Sequence, residues 1–327
     1  MSILVTGGAG YIGSIFVEQL RQAGQAVVVL DNLCRGHRAS LHPDVPFVQG
    51  NIGERELVSR VVEAHAVEAC VHFAALIEVG ESVKTPDLFF RNNVEEAAAL
   101  LDALNKAGVR RFVFSSTCAT YGEPKRLPLD ETHPQHPNSP YGWTKFFMER
   151  MLEAYASAYD WCFVGLRYFN AAGGTPERGE DHKPETHLIP NVIYAAQGRR
   201  DKLFLFGDDY DTADGTCVRD YIHVSDLGAA HQGALDYLRG GGAPTFINIG
   251  TGTGYTVKQV VESVERVTGL AVPYEIYPRR AGDTSTLVAN NDKARDLLAW
   301  QPQYTGLDEI VSTAWEWHRK HPNGYND

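Results

Sequence analysis

The opening of the chain restricts its fold more than any other stretch. A short apolar run, Ser2 to Thr6, passes directly into Gly7, Gly8, Ala9, Gly10, Tyr11, Ile12 and Gly13, and helical spacing covers Tyr11 to Ala23. Strand, glycine turn and helix in this register form the start of a βαβ unit. The glycines let the backbone turn tightly and approach a pyrophosphate, whose charge meets free N–H groups and the positive end of the helix. The spacing is GxxGxxG rather than the GxGxxG of many dehydrogenases. The next apolar run, Ala26 to Leu30, ends in Asp31, 18 residues after Gly13. An acid at that place accepts from both ribose hydroxyls and repels a 2′-phosphate, which predicts NAD rather than NADP; Arg35 and Arg38 weigh the other way.

The same alternation continues. Strands are expected at Cys70 to Phe73, Arg111 to Ser115 and Cys162 to Leu166, with helices over Glu54 to His65, Asp87 to Lys106 and Tyr141 to Ala158. This predicts an α/β protein with a doubly wound parallel sheet. From Asn170 to about Thr216 the composition turns to Gly, Pro and charge, then alternation resumes with Tyr221 to Val224, a helix from Ser225, Phe246 to Ile249, and a helix over Thr256 to Thr268. The expected division is a cofactor domain over 1–170, with 218–250 returning to it, and a smaller mixed α/β substrate lobe from 171–217 and 251–327.

Forty-one acidic against thirty basic residues give a formal charge of −11, with no block of five like charges, so nucleic acid is an unexpected partner. The five cysteines are scattered singly without a CxxC pair, which fits a reducing compartment. No stretch approaches the roughly 18 to 20 apolar residues that span a bilayer, and no positive charge precedes Arg21. A cytoplasmic protein with no membrane partner is expected. None of the twelve histidines is paired at a metal-ligand spacing, so no metal is expected.

A second constellation carries chemistry. The strand that starts at Arg111 ends in Ser115, Ser116 and Thr117; 24 residues after Thr117 comes Tyr141, and Lys145 lies four further on, on the same helical face. Ser139 is placed to cap that helix and Pro140 to open its first turn, which sets Tyr141 at the positive helix end. To act as a base at neutral pH, a tyrosine starting near pKa 10 must fall by about three units, roughly 4 kcal/mol. Lys145 and the helix end are expected to push that way. Downstream, Arg219 and the pair Arg279 and Arg280 stand in an acidic chain, and guanidinium forks suit a diphosphate.

With these residues in hand, the chain resembles the extended short-chain dehydrogenase/reductase family, in its branch that inverts C4 of UDP-sugars. The resemblance runs through TGGAGYIGS (6–14), LDNL (30–33), VGESV (79–83), NNV (92–94), SSTCATYG (115–122), SPYGWTK (139–145), RYFNAAG (167–173), GTCVRDYIHVSDL (215–227), PRRAGD (278–283) and HPNGY (321–325). It implies a Rossmann domain holding NAD, a C-terminal lobe holding a UDP-hexose, and a homodimer. The implied reaction is reversible C4 epimerisation of UDP-glucose and UDP-galactose through a 4-keto intermediate. Tyr141 would be the base, Lys145 its partner, and Thr117 the hydrogen bond to the reacting oxygen. The implied NAD contacts are Gly7, Gly10, Tyr11, Ile12, Gly13, Asp31, Asn32, Asn51, Ile52, Phe73, Ala74, Asn92, Ser115, Tyr141, Lys145 and Tyr168. Around the sugar nucleotide it implies Thr117, Asn170, His187, Leu188, Phe206, Arg219, Arg280, Asp283 and Leu287.

The chain departs from the family pattern at three places. Asn51 stands for an Asp against the adenine amine, Ile77 for a Lys near the cofactor, and His187 for an Asn, favouring a backbone contact there. Leu287 lies where the pocket for the sugar's C2 substituent is shaped, leaving N-acetylated and pentose UDP-sugars open. A sugar-nucleotide dehydratase needs an acidic pair after Thr117, where Cys118 and Ala119 stand instead. A catalytically silent NAD-binding regulator is opposed by Thr117, Tyr141 and Lys145.

Overall fold

The computed structural model describes residues 1–280 and 283–326. Its centre is a seven-stranded sheet in the spatial order Thr245–Ile249, Cys162–Tyr168, Arg111–Thr117, Val67–His72, Ser2–Thr6, Val27–Asp31, Phe47–Gln49. Every neighbouring pair is parallel. The winding reverses between Ser2–Thr6 and Val67–His72, and a crevice opens beyond the carboxyl ends of the strands at such a switch point. Successive residues of a strand face opposite ways, so Ile3 and Val5 join Phe16, Leu20, Val71 and Leu227 on one side. Leu4 joins Leu30, Val58, Leu100, Phe112 and Met148 on the other. Burial on both faces explains why these strands read as continuous apolar runs.

Several expected elements differ. The strands expected at Cys70 to Phe73 and Tyr221 to Val224 run over Val67–His72 and Val218–His223. The strand expected at Arg111 to Ser115 runs on to Thr117, because its parallel pairing with Cys162–Tyr168 continues through Ser115↔Leu166, Ser116↔Arg167 and Thr117↔Tyr168. The helix expected over Asp87 to Lys106 is broken into Pro86–Phe90, a wide turn over Arg91–Glu96 with i→i+5 bonding, and Ala97–Lys106. Asn93 sits in that turn with its amide bonded to Leu76 and Thr144, a cross-link that a regular helix would redirect. Phe47–Gln49 is too short to show a pattern in the sequence.

Beyond residue 170 the chain forms a four-stranded sheet around Val218–His223. Asn170–Ala172 and Thr286–Leu287 pair with it in parallel, and Gly254–Thr256 antiparallel. Leu203–Phe206 pairs separately with Tyr274–Tyr277. The helices Leu188–Ala196, Val257–Thr268 and Leu307–Lys320 pack together over a core containing Val192, Ile193, Val260, Val264, Ile310 and Val311. Between the two sheets' contributions, helix Val224–Arg239 lies against Tyr11–Gln22, and strand Thr245–Ile249 closes one edge of the large sheet.

Candidate active site

Gly7 sits at φ +72°, a conformation open to glycine, and a Cβ there would collide with the backbone of Ala74. A Cβ on Gly13 would meet the Gly7 carbonyl and the Gly8 Cα. The Phe73 and Ala74 N–H groups both donate to the Thr6 carbonyl (2.9 and 3.1 Å), which presses the turn after Val67–His72 against the glycine loop. Gly10 precedes helix Tyr11–Gln22 and supplies no side-chain cap, so no side chain takes the N–H groups of its first turn. That set of donors and the room left by the glycines fit a pyrophosphate.

Asp31 ends its strand buried. Its carboxylate accepts from the Ala9 N–H (2.9 Å) and the Leu33 N–H (2.8 Å). Burial raises its pKa, and the bonds from Leu33 and Ala9 pull it partly back. Asn32 and Asn51 come together, the Asn32 amide donating to the Asn51 side-chain oxygen at 2.6 Å, while Ile52 is buried beneath them. Arg35 pairs with Glu78 at 2.7 Å, and the Arg38 guanidinium stacks 5.0 Å from the Phe47 ring centroid. Both arginines that weighed toward a 2′-phosphate are therefore engaged. Asn92 donates to Asn93 in the wide turn, and Ile77 bonds through its N–H to Glu78.

Thr117, Tyr141 and Lys145 converge at the carboxyl end of Arg111–Thr117. Ser139 caps helix Pro140–Tyr159 by accepting from the Gly142 N–H (3.2 Å), and Pro140 opens the first turn, as the sequence led us to expect. The Ser82 hydroxyl accepts from the Tyr141 N–H at 3.2 Å. Burial raises the Tyr141 phenol, the Tyr168 phenol adds to the rise, and the Thr117 hydroxyl beside it pulls the other way. Lys145 is buried as well, donates to the Ser115 carbonyl at 2.9 Å, and is pushed down to about 7 by burial. Its Nζ lies 5.9 Å from the Tyr141 ring centroid. Among the protein's own groups, burial thus outweighs the pull toward phenolate that Lys145 and the helix end were expected to exert. Tyr168 stands in register with Thr117 and hydrogen-bonds Ser115.

Behind this strand lies a network that the sequence reading missed. Arg167 forms a buried pair with Glu149 (2.7 Å), Ser116 donates to Glu149 (2.6 Å), and the Tyr121 hydroxyl links Arg167 to Asn248. Arg167 lies in RYFNAAG, but Glu149 falls on a helix face where only the fold reveals its partner.

In the smaller sheet, Arg219 stands opposite Leu287 in register and is the charge that opposes burial at Cys118, whose thiol burial pushes up to about 12. Leu287 packs against the cluster of Cys118, Tyr121 and Phe169. Asn170 bonds to the Asp220 carbonyl at 3.2 Å. Arg280 pairs with Asp283 (3.0 Å) and stacks 4.7 Å from the Phe206 ring centroid, bringing three implied substrate residues together. Ala281 and Gly282 of PRRAGD lie outside the described residues. Arg279 turns instead to Asp209 and the Tyr210 ring.

His187 precedes helix Leu188–Ala196, with its carbonyl accepting from Asn191. Its imidazole meets Glu180 (2.6 Å) and Glu185 (2.9 Å), and His182 also approaches Glu180 (3.3 Å). The fold brings these four side chains together: one ligand atom from each lies within 4.8 Å of all the others. The spacing ExHxxExH matches no familiar metal motif, which is why it passed unnoticed.

No helix among the described residues is long and apolar enough to cross a membrane. Residues 3–250 match the NAD dependent epimerase/dehydratase family. A UDP-glucose 4-epimerase of Rhizobium leguminosarum bv. trifolii is 52% identical over 321 residues, covering 98% of each chain. One from Lacticaseibacillus casei is 49% identical over 329 residues, covering 100% of this chain and 99% of its own. The crystal structure of UDP-glucose 4-epimerase from Brucella ovis in complex with NAD matches with a TM-score of 0.93 at 46% identity, over 96% of this chain and 97% of that one. A seven-stranded doubly wound sheet, a glycine loop at the start of the first helix and likeness across the whole chain lead to one conclusion: the protein belongs to the NAD dependent epimerase/dehydratase family, and NAD is its cofactor.

Proposed function

We propose that the protein interconverts UDP-glucose and UDP-galactose by inversion at C4 through a 4-keto intermediate, and that the residues gathered above divide the work. The observation that carries this reading is Thr117 beside the Tyr141 phenol, with Arg219 close to Cys118, the residue that follows Thr117. When bound, NAD supplies the hydride acceptor and donor at C4 and, while oxidised, a cationic ring that favours phenolate. Tyr141 takes the proton of the 4-hydroxyl as the ketone forms and returns it when the ketone is reduced. Thr117 hydrogen-bonds that oxygen, and Lys145, anchored on Ser115, orients the nicotinamide ribose. Gly7, Gly10 and Gly13 cradle the pyrophosphate, and Asp31 holds the adenosine ribose.

One base and one hydride carrier must serve both faces of C4, so the 4-keto sugar has to rotate while UDP stays held. Arg219 and Arg280 are the diphosphate anchors in this reading, with Phe206, Asn170, Leu188 and Asp283 around the nucleotide. The dehydratase alternative is disfavoured because Cys118 and Ala119 offer no acid for eliminating water. The division into a cofactor domain (1–170 with 218–250) and a sugar-nucleotide lobe, a cytoplasmic location and a homodimer belong to the same proposal. Support for the dimer comes from an exposed apolar ridge of Leu88, Phe90, Trp143 and Phe147 on neighbouring helices.

The deciding experiment supplies UDP-galactose to the purified, NAD-loaded protein without an added electron acceptor and follows products by chromatography. UDP-glucose should form with no net reduction of NAD. Failure to form it, with binding intact, would end this reading.

A further inference from the structure

Glu180, His182, Glu185 and His187 lie between the glycine loop and the helix that begins at Leu188. His182 stands edge-on to the Tyr11 ring at 6.4 Å, and the Tyr11 hydroxyl donates to the Gly173 carbonyl at 2.6 Å. On the far side, Asn191 of the helix donates to the carbonyls of both Glu185 and His187. This segment therefore bridges the two halves of the molecule, yet the proposed reaction uses none of its four acidic or imidazole side chains.

Hydrogen bonding satisfies part of the cluster: Glu185 Oε1 accepts from the Thr186 and His187 N–H groups, each at 2.8 Å. Nδ1 of His187 faces two carboxylate oxygens, Glu180 Oε1 at 2.6 Å and Glu185 Oε1 at 2.9 Å. Nδ1 of His182 faces that same Glu180 oxygen at 3.3 Å. One N–H cannot point fully at two oxygens. The second oxygen of Glu185, Oε2, is buried without a hydrogen-bond partner, although the Glu185 side chain is 6% exposed. Such a group costs about 1–3 kcal/mol, more for a charge. The Glu180 and Glu185 carboxylates bring two negative charges to the cluster, which a divalent cation would cancel. Zinc bonds of about 2.0–2.2 Å place tetrahedral ligands about 3.3–3.6 Å apart. The four ligand atoms lie within 4.8 Å of one another, so side-chain shifts of about an ångström would close the site.

We infer that Glu180, His182, Glu185 and His187 form a site for one divalent transition-metal ion of the zinc class, fastening the 180–187 segment between the glycine loop and the helix Leu188–Ala196. Four protein ligands leave no open position, so the role is structural. Imidazole nitrogen with carboxylate selects zinc or its neighbours over magnesium, which prefers an all-oxygen octahedron. The inference is independent of the reaction assigned above.

The test uses the NAD-loaded full chain after chelator treatment and dialysis. Zinc is titrated by calorimetry, metal content is read by mass spectrometry, and melting is followed with and without zinc. About one zinc per chain should bind with Kd below about 1 μM and raise the melting temperature, while millimolar magnesium does neither. Glu185→Gln and His182→Ala should each weaken zinc binding by at least about tenfold, and His42→Ala, at an exposed histidine, should not. Absence of stoichiometric uptake by the unaltered chain would overturn the inference. So would uptake that persists unchanged in both cluster variants, since the zinc would then sit elsewhere.

Discussion

Around the glycine loop the groups offered to a ligand are mostly backbone N–H atoms held by close packing, with Gly7 and Ala74 too near one another to admit a Cβ. Beyond residue 170, Arg219, Arg280 and Phe206 are long side chains, and the Arg280 side chain is 60% exposed and stacked on a ring. The first arrangement has almost no freedom left to lose when a ligand arrives, whereas the second keeps rotamers in reserve. A cofactor that stays bound through many turnovers suits the rigid side. A sugar that must rotate between two half-reactions suits grips confined to its diphosphate and nucleoside.

The largest effect should come where the two sides meet. Tyr141→Phe should lower turnover by at least about 10²-fold while UDP affinity, measured by calorimetry, stays within about twofold. A loss of UDP binding instead would mean that Tyr141 belongs to the substrate's grip. On the rigid side, Gly7→Ala forces a residue into φ +72° and against Ala74; the strain of roughly 1–2 kcal/mol should lower NAD occupancy about tenfold, read from cofactor released on denaturation. That cofactor should be NAD, and recovery of NADP would mean that Arg35 or Arg38 leaves its partner to meet a phosphate.

On the loose side, Arg219→Ala and Arg280→Ala should each weaken UDP and UDP-glucose by a similar factor, about tenfold or more from a lost charged hydrogen bond of roughly 1.5–3 kcal/mol. UDP alone should bind within about tenfold of UDP-glucose, a difference of roughly 1.4 kcal/mol. A thousandfold gap would mean that the hexose is gripped too firmly to turn, and the contrast between the two sides would collapse.

The smallest effect concerns Lys145. Its folded pKa is lowered to about 7 by burial. Between about pH 7 and the ordinary lysine value the unfolded chain holds a proton that the folded chain has released, so this residue's contribution to stability rises with pH across that window. Below pH 7 both states are protonated and the burial cost is fully present. In denaturant unfolding, Lys145→Met should therefore gain on the unaltered protein most below pH 7, with the gap closing toward pH 10. An unchanged gap would mean that the ammonium is paired in the folded state.

Local order was legible because it follows from local rules. Ser2 to Thr6, Gly7, Gly13, Asp31, Ser139 and Pro140 announce a strand, a tight turn, a ribose acceptor and a helix start through side-chain period and backbone freedom alone. Resemblance then narrowed three candidate arginines to Arg219 and Arg280 and carried Leu287, which no local rule singles out. Tertiary structure decided what depends on distance in space. It tied Arg35 to Glu78 and Arg279 to Asp209, broke the expected helix at Asn93, and drew Glu180, His182, Glu185 and His187 into one cluster. It also set the protonation balance at Tyr141 and Lys145, because desolvation depends on everything packed around a group and the chain's order of residues does not display that.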